Sequence, residues 1–377
     1  HRAGRHRANA RSPGQSPGRS RHAMIDPRRR ALLGGLATLP LAALPACRSS
    51  PELTEVGFSV FGQVWTLRFA DTPAEQVNAA VRAAESIVEP LYRRLHPWRD
   101  SELTRLNRRL AERGEATVTP EIRALIRSAR PLFEASGGRF DPSIGGLVAL
   151  WGFHRDADDT PVAPPAEAKL DDWLAEAPSL DDVRIEGERV KVSNRRVQFD
   201  FNALAEGFAA ERVLAEIESL GVRDCLLDSG GDLYTLGRAG ARDWQLGVRD
   251  PRAESGDRAA LGGVAVSGRH ALCSSGSYER QLRYRGARFG HIVDPLTARP
   301  AHSNTGTTVL GREPALTDGA ATALMLLSPA EAGAFARTVG LDGILLVTEN
   351  GTPWRDAGMR SAMGSTPAGR SIDWHRI

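Results

Sequence analysis

Apolar residues recur at helical spacing in three stretches of the chain, and these stretches predict amphipathic helices. The first covers residues 74–95, where Pro90 should bend the helix or end it early. The second follows Thr119-Pro120, an N-cap residue with a proline at the first helical position, and Gly137-Gly138 ends it. The third runs from about Leu204 to Leu220. All three helices carry their apolar residues on one inward-facing side.

Strand-like runs alternate with these helices and make the chain a mixture of α and β structure. The runs are Glu55–Phe69, Val190–Phe201, Cys225–Asp228, Leu233–Leu236 and Ile344–Thr348. A fourth helix is expected near Asp318, and the capping box Ser328-Pro329-Ala330-Glu331 opens a fifth. Residues 154–187 are rich in Asp, Pro, Ala and Glu and indicate a surface insertion. With no internal repeat and no clear linker, residues 51–377 are predicted to form one α+β domain.

Charge is distributed unevenly along the 377 residues. The 49 Lys and Arg residues nearly balance the 46 Asp and Glu residues, which gives a net charge of +3. Residues 1–50 contain ten Arg and one acid, about +9, so the remainder carries about −6. This mildly acidic body argues against a nucleic-acid-binding surface. The three cysteines are too few for a disulfide scaffold, and Cys225 and Cys273 could either pair with each other or remain buried thiols.

The first fifty residues have the composition of a targeting sequence. Residues 1–23 are mainly Arg, Ser, Gly and Pro without periodicity, and we interpret them as disordered or as lying upstream of the true start. Residues 24–47 place three arginines before an apolar stretch of sixteen residues, which is too short for a permanent membrane span. This order predicts a twin-arginine export signal. Leu44-Pro45-Ala46-Cys47 is similar to a lipobox, so Cys47 is either a lipid anchor or an unmodified residue.

Several familiar catalytic motifs are missing, among them the Walker A loop, the GxGxxG turn, HExxH and the GxSxG elbow. Four other segments carry candidate chemistry, although each alone could be a structural turn, cap or ion pair: Gly138–Gly146, Phe199–Ala209, His291–Pro300 and Leu316–Leu324. In the last segment Asp318 and Thr322 share one face at an expected helix N-terminus. A carboxylate with a hydroxyl suits an oxygen-preferring cation such as Mg²⁺, and the alternative is an N-cap Asp with a back-bonded Thr.

Together these four segments resemble the ApbE-type flavin transferases. The resemblance includes Asp228–Leu233 and Ser274–Arg280 in the same order and covers about Gly57 to Thr348. It implies a mixed α/β fold, a periplasmic or lipid-anchored location and FAD:protein FMN transferase activity. Such enzymes use Mg²⁺ to cleave FAD, attach FMN by a phosphoester to a Thr or Ser of a partner flavoprotein, and release AMP. The twin-arginine signal and the sequence Asn-Ala-Leu-Ala-Glu-Gly are similar to the branch linked to nitrous oxide reductase maturation, whose acceptor is a membrane flavoprotein.

The resemblance also implies roles for individual residues. Metal contacts would come from the side chains of Asp318 and Thr322 and from the carbonyl of Ala203. FAD contacts would come from Phe61, Trp98, Arg139, Phe140, Asp141, Asp200, Glu206, His291 and Ile292. Asp318 is expected to be catalytic through the metal, and His291 is the candidate base for the acceptor hydroxyl. The family often has Lys at the position of Glu206, and a carboxylate cannot offer a cation to the pyrophosphate of FAD.

Two other functions remain open at the level of sequence. The first is an FAD pyrophosphatase, which would use the same metal site with water as the nucleophile and yield FMN and AMP. The second is a non-catalytic flavin carrier or maturation factor, which the unusual Glu206 makes plausible. The three functions differ in their products, because a transferase modifies an acceptor, a hydrolase releases AMP without modification, and a carrier does neither.

Overall fold

The computed structural model describes residues 52–60, 63–155, 162–253, 259–364 and 371–377. All of these residues belong to one compact unit, Ser50–Ile377. The expected export signal, Cys47 and Phe61 lie outside the described residues. Within the described ranges, no helix combines the length and the apolar character needed to cross a membrane.

Helices and strands alternate along this unit. The α-helices of the described residues are α1 (Ala74–Leu95), α2 (Glu102–Arg113), α3 (Pro120–Ala135), α4 (Gly145–Leu150), α5 (Glu167–Ala175), α6 (Asn202–Ser219), α7 (Pro314–Leu324), α8 (Pro329–Val339) and α9 (Ala357–Ala362), with a 3₁₀ turn at Leu180–Asp182. The strands are β1 (Leu53–Val60), β2 (Gln63–Ala70), β3 (Glu115–Thr117), β4 (Val183–Glu186), β5 (Arg189–Val192), β6 (Cys225–Ser229), β7 (Asp232–Leu236), β8 (Trp244–Arg249), β9 (Ala260–Val266), β10 (His270–Gly276), β11 (Gln281–Tyr284), β12 (Ala287–Gly290), β13 (Val293–Asp294), β14 (Arg299–Pro300), β15 (Asn304–Gly311), β16 (Gly343–Thr348), β17 (Pro353–Arg355) and β18 (His375–Arg376).

One large sheet organises the unit. Its strands follow the order β1-β2-β6-β7-β10-β15-β16-β17-β18. Neighbours are antiparallel throughout, except that β17 and β18 run parallel. The other described strands form small sheets: β3-β5-β4, β8-β9, β11-β12 and β13-β14.

The large sheet separates two apolar clusters, because side chains alternate between its faces along each strand. On one face, Leu227 and Val309 join the main core, which includes residues of α1, α6 and α7. On the other face, Leu226 and Leu310 pack with Trp244 of the β8-β9 hairpin. The helices that carry the candidate site therefore cover one face of the sheet.

Helices α6 and α7 approach each other most closely at Gly207. A Cβ atom at this position would lie 2.5 Å from the carbonyl oxygen of Pro314 and 2.7 Å from the Cβ of Asp318. A Cβ atom does not make non-bonded contacts this short, so only glycine lets the two helices meet here. The first half of α6 is thereby placed directly against the middle of α7.

The helical predictions are largely confirmed, with two corrections. Helix α1 continues to Leu95, so Pro90 does not end it early, and the buried Leu91 and Leu95 hold the last turn against the core. Helix α7 begins at Pro314, which occupies its first position, so Asp318 lies in the middle of the helix. The prediction that Asp318 stands at a helix N-terminus is therefore wrong.

Polar composition misled the prediction for residues 154–187. The described part of this stretch contains α5 and β4, and Leu170, Trp173 and Leu180 are buried. It is therefore part of the packed unit and not only a surface insertion.

Two predicted strands differ from the observed ones. The run Val190–Phe201 forms a strand only as far as Val192, and Glu55–Phe69 divides into the hairpin of β1 and β2.

The two described cysteines are buried free thiols, so they do not pair with each other. Cys225 lies on β6 and Cys273 on β10, with β7 between these strands. Burial raises the pKa of both thiols above the ordinary range. Both side chains therefore stay protonated and act as small core residues.

Asn304 holds the C-terminal end of α7 to the sheet. Its side chain is 2% exposed, and Nδ2 donates hydrogen bonds to the carbonyls of Leu324 (2.7 Å) and Leu327 (2.8 Å). The last carbonyls of a helix lack partners within the helix, so this amide satisfies the carbonyl of Leu324, the last residue of α7, and that of Leu327 in the segment that follows. Asn304 thus fixes the helix that carries Asp318 and Thr322.

Replacing Asn304 should therefore destabilise the fold. We expect Asn304→Ala to lower the free energy of unfolding by about 2 kcal/mol, because the Leu327 carbonyl loses its donor and the Leu324 carbonyl keeps only the N–H of Leu327, at 3.3 Å. Urea denaturation measures this, with Ser303→Ala as the control, because the neighbouring Ser303 is exposed. The control should change stability by less than about 0.5 kcal/mol. Equal stability of the two variants would contradict the anchoring role.

Candidate active site

The centre of the candidate site is the carboxylate of Asp318. The side chain is 8% exposed, and its Oδ2 accepts a hydrogen bond from the backbone N–H of Gly207 at 2.9 Å. In a helix this N–H points at the carbonyl of the residue four positions earlier, which is Ala203. The Asp318 carboxylate and the Ala203 carbonyl therefore both lie next to the same N–H group.

The carboxylates of Glu206 and Asp232 lie near Asp318, and that of Glu279 acts on it more weakly. Glu206, on α6, accepts a hydrogen bond from Nε2 of Gln63 at 2.6 Å. Asp232, at the start of β7, accepts one from the backbone N–H of Ser274 at 2.8 Å. Among the described residues none of the three carboxylates forms an ion pair with Lys, Arg or His. Within the described ranges these three carboxylates therefore have no protein counter-ion.

Burial controls the protonation of this cluster. It raises the pKa of Asp318 well above its ordinary value, and the charges of Asp232 and Glu206 raise it further. Burial also raises the pKa of Asp232, although the Ser274 N–H opposes this. The pKa of Glu206 rises to about 7, mainly through burial, and the hydrogen bond from Gln63 limits the rise. A cation in the site would relieve the repulsion among these groups.

Thr322 completes the set of oxygen donors. It lies one helical turn after Asp318 on α7, and its Oγ1 is 3.2 Å from the hydroxyl of Ser275 on β10. A carboxylate, a hydroxyl and a main-chain carbonyl are all hard oxygen ligands of the kind that Mg²⁺ prefers. No group of three or more His, Cys, Asp or Glu side chains in the described ranges is arranged to hold a metal. The residues present fit Mg²⁺ through mixed oxygen donors.

A second group of residues gathers around two predicted FAD contacts, Trp98 and Asp200, of which Asp200 lies just before α6. Asp200 accepts from Nε2 of His154 at 2.8 Å, and its other oxygen accepts from the N–H of Asn202 at 2.9 Å. The His154 ring stacks on Trp98, with centroids 5.6 Å apart and planes inclined by 27°. The guanidinium of Arg280 lies 5.2 Å from the centroid of the Trp98 ring. These rings form an aromatic surface suited to a flat heterocycle.

His291 borders this aromatic surface. Its Nδ1 lies 3.2 Å from the carbonyl oxygen of Arg280, so Nδ1 carries the proton and Nε2 keeps its lone pair. Its ring packs edge-on against Phe153 at 6.4 Å. Burial lowers the pKa of His291 to about 4. The imidazole is therefore neutral at pH 7 and a weak proton acceptor.

The remaining predicted FAD contacts have mainly protein partners. Both oxygens of Asp141 accept backbone hydrogen bonds, from Ser143 at 2.8 Å and from Leu180 at 3.0 Å, while burial raises its pKa to about 6. The side chains of Phe140 and Ile292 are buried in apolar clusters. Arg139 is partly exposed and 3.3 Å from Glu331. Of these four, Arg139 is the side chain placed to reach a ligand.

Sequence reasoning did not assign roles to several residues that the fold brings to the site. Gln63 and Asp232 belong to the carboxylate cluster, whereas His154 and Arg280 belong to the aromatic group. Asp232 and Arg280 lie inside motifs that carry the family resemblance, which was the available signal. His154 lies eight residues after the segment Gly138–Gly146, and no motif marked it.

Comparison with known proteins bears directly on this arrangement. The sequence model described as the ApbE family matches residues 61–345. A protein of Rhodobacter capsulatus named FAD:protein FMN transferase is 34% identical over 338 residues, which cover 90% of this chain and 62% of that protein. The chain thus spans less than two thirds of that relative. A Vibrio cholerae protein of the same name is 25% identical over 322 residues, covering 84% of this chain and 94% of that protein.

Solved structures show the same fold. The flavinyl transferase ApbE of Pseudomonas stutzeri, in its apo form, aligns with a TM-score of 0.70 and 24% identity over 84% of this chain and 98% of that one. The ApbE protein of Thermotoga maritima aligns with a TM-score of 0.70 and 22% identity, over 83% of this chain and 100% of its own. At these identities the likeness concerns the fold alone, and it confirms the predicted mixed α/β architecture. The match of the family's sequence to most of the chain then settles the assignment: this protein belongs to the ApbE family.

Proposed function

We propose that this protein is a Mg²⁺-dependent FAD:protein FMN transferase. It cleaves the pyrophosphate of FAD, attaches FMN by a phosphoester to a Thr or Ser of a partner flavoprotein, and releases AMP. Membership of the ApbE family and the names of the relatives support this activity. The observation that carries the proposal is the oxygen-donor set of Asp318, Thr322 and Ala203, which lies among carboxylates without a counter-ion in the described residues.

The donor set addresses the main obstacle of the reaction. The oxygens of a phosphoanhydride repel an incoming nucleophile, and the leaving AMP takes up negative charge. Asp318, Thr322 and the Ala203 carbonyl would hold Mg²⁺, which offsets the phosphate charge when it is bound. Glu206 takes no direct part in phosphate binding, because it is a carboxylate held by Gln63. Its negative charge instead favours a cation in the site.

The aromatic group supplies a place for a ring of FAD. Trp98 and His154 offer a flat surface, and the neutral His291 leaves Nε2 free to accept a hydrogen bond from the ligand. Asp200 connects this group to the first turn of α6, where Ala203 lies. FAD bound with one ring here would extend along the start of α6 toward the donor set.

We also propose that the protein is exported by the twin-arginine route to the periplasm or cell envelope. The support is the sequence of residues 24–47, which places three arginines before a short apolar stretch. The acceptor would be a flavoprotein with a Thr or Ser flavinylation site, such as a membrane protein of nitrous oxide respiration. The mass of the mature protein distinguishes a lipid anchor at Cys47 from an unmodified N-terminal region.

Transfer activity can be tested on the full chain with FAD, Mg²⁺ and an acceptor domain from an established pair of this family. We expect the intact mass of the acceptor to increase by one FMN group, and chelation of Mg²⁺ to abolish the increase. AMP accumulating beside an unmodified acceptor would instead indicate an FAD pyrophosphatase. Bound FAD without AMP or modification would indicate a carrier.

The metal assignment predicts the effect of removing the central carboxylate. Asp318→Ala should lower the transfer rate at least about 10³-fold, because the phosphate charge loses its stabilisation. Asp172→Ala is the matched control, since Asp172 is an exposed residue of α5, and it should keep the parent rate. Circular dichroism checks that both variants fold. Full transfer activity in Asp318→Ala would contradict the metal assignment.

The isosteric change Asp318→Asn separates metal binding from folding. At pH values below the ordinary pKa of an aspartate, Asp318 is protonated in both the folded and the unfolded state, so its ionisation does not affect stability. As the pH rises above that value, Asp318 ionises in the unfolded state but stays protonated in the folded state. The free energy of unfolding therefore falls until the pH reaches the raised pKa of the folded state. At pH 7.5 with chelator, Asp318→Asn should therefore be more stable than the parent by at least about 1 kcal/mol.

Added Mg²⁺ should make the parent more stable than Asp318→Asn. It should raise the melting temperature of the parent and leave that of the variant unchanged, because a ligand stabilises only a folded protein that binds it. Differential scanning fluorimetry measures both effects without a flavin or an acceptor. Equal stabilisation of parent and variant by Mg²⁺ would place the metal elsewhere.

A further inference from the structure

We propose that the β11-β12 hairpin binds an acidic segment of the acceptor flavoprotein, next to the Thr or Ser that receives FMN. The hairpin, Gln281–Gly290, is called the basic hairpin below, because Arg283, Arg285 and Arg288 project from it. The inference rests on the proposed transferase function and adds to it the surface that recognises the acceptor. No residue of this hairpin was predicted to belong to the site.

The hairpin is strongly basic in a body that is otherwise mildly acidic. Residues 280–290 contain four arginines and no Asp or Glu, whereas residues 51–377 carry about −6. Arg283, Arg285 and Arg288 are exposed, and none of them forms an ion pair or a hydrogen bond with another described residue. Their N–H donors are therefore available to a partner outside the chain.

The hairpin turns its apolar side inward and its arginines outward. Leu282 and Phe289 face each other across the two strands and belong to the apolar cluster around Trp151, whose ring lies 5.5 Å from that of Phe289. Side chains alternate along a strand, so the next pair, Arg283 and Arg288, projects from the opposite face. The two guanidinium groups are thereby presented side by side on a packed support.

Two features of the hairpin cost stability. Arg283 is directly opposite Arg288, and like charges at such positions repel each other. Arg285 has φ 49° and Gly286 has φ 85°, as in a two-residue type I′ turn, where Asn, Asp or Gly fits better than a long side chain at the first position. The Arg285 guanidinium lies 5.3 Å from the centroid of the Tyr284 ring. Backbone strain combined with uncompensated charge in one exposed element indicates a binding role.

A second basic pair in the chain has a counter-ion, unlike the pair in the basic hairpin. Arg184 and Lys191 are opposite each other in the β4-β5 hairpin. A carboxylate oxygen of Glu186, on the same hairpin, lies 2.6 Å from Nζ of Lys191. This acid reduces the repulsion there, whereas the described residues offer no such acid to Arg283 and Arg288. We therefore expect the counter-ions of the basic hairpin to come from a partner.

Both ends of the basic hairpin are tied to the candidate site. Before it, the hydroxyl of Ser275 on β10 lies 3.2 Å from that of Thr322, and β11 begins six residues later. After it, the backbone N–H of His291 donates to the carbonyl of Arg280 at 3.2 Å. The guanidinium of Arg280 lies over the Trp98 ring. The hairpin therefore extends directly from segments that contact the oxygen donors and the aromatic surface.

The charges give a bound acceptor a direction. The carboxylates around Asp318 and the phosphates of FAD repel an acidic segment, whereas the basic hairpin attracts one. An acceptor with acidic residues on one side of its hydroxyl is thereby oriented with the hydroxyl toward the site. Arg288 precedes His291 by three residues, which is about 10 Å in extended chain, so we expect the acids about three residues from the modified Thr or Ser.

The test compares the full-length parent with two double variants that lose the same charge. Arg283→Gln/Arg288→Gln removes the cations of the basic hairpin, and Arg184→Gln/Lys191→Gln is the matched control. The probe is an acceptor domain from an established pair of this family, used unchanged for transfer and with its modified Thr or Ser replaced by Ala for binding. All three proteins are measured for acceptor affinity, FAD affinity and transfer rate.

We expect the hairpin variant to bind the acceptor about tenfold more weakly than the parent at low ionic strength, and the control variant to match the parent. FAD affinity and the transfer rate at saturating acceptor should stay within about twofold, because these arginines act on the acceptor alone. The hairpin variant should melt no lower than the parent, since it loses a pair of like charges. A folding defect is thereby distinguished from a loss of binding.

Two further measurements identify the acidic partner. About 0.5 M salt should reduce the difference between parent and hairpin variant to less than about twofold, because it screens exposed charges. An acceptor whose Asp and Glu residues near the modified position are changed to Asn and Gln should bind the parent about as weakly as the unchanged acceptor binds the hairpin variant. Combining both changes should cause no further loss, because both remove the same pairs.

Four results would overturn the inference. The first is equal acceptor affinity of parent and hairpin variant, and the second is additive loss when the variant meets the neutralised acceptor. The third is weaker FAD binding that accounts for slower transfer, which would assign the arginines to the flavin. The fourth is binding of the parent to vesicles containing phosphatidylglycerol that the hairpin variant loses while its acceptor affinity is unchanged, which would assign the hairpin to the membrane.

Failure of the proposed function would be seen separately. A parent that binds the acceptor through these arginines but transfers no FMN contradicts the transferase function and still supports the binding surface. A parent that transfers FMN equally well with and without the arginines supports the function and contradicts the inference. A parent that neither binds nor modifies the acceptor contradicts both.

Discussion

The hydrogen bond from the Gly207 N–H to the Asp318 carboxylate is the contact on which the geometry of the site depends. It forms because no side chain separates α6 from α7 at Gly207, where a Cβ would lie 2.5 Å from the Pro314 carbonyl. The sheet fixes the other side of α7, since the hydroxyl of Thr307 donates to the carbonyl of Ala321 at 2.7 Å. Two helices and a sheet therefore have to pack correctly before the donor atoms meet.

This packing brings like charges together inside the protein. Asp318, Asp232 and Glu206 repel one another in surroundings that solvate charge poorly, so protons or a cation that reduce their charge stabilise the fold. Protons and a metal ion compete for the same oxygens, and metal affinity is consequently linked to pH. The large apolar core on the same face supplies the stability that permits this local strain.

Local sequence signals revealed much of the fold and part of the site. Long amphipathic helices and their caps were predicted because their periodicity and their cap residues lie within one stretch of chain. The start of α7 was misplaced because Asp318 resembles an N-cap, whereas Pro314 begins the helix. The bond between Gln63 and Glu206 joins residues 143 positions apart, and only the sheet topology brings them together. The burial of Trp173 was not predicted, because polar residues outnumber the apolar ones on α5 and only one side of this helix is buried.

The buried thiols of Cys225 and Cys273 have a consequence for where this protein can fold. The described part of the chain reaches its packed state without a cross-link, and neither thiol is ionised enough to exchange with external disulfides. The covalent structure of the described residues is therefore the same in a reducing and in an oxidising compartment. This part of the chain can complete its folding on one side of a membrane and keep the same structure on the other.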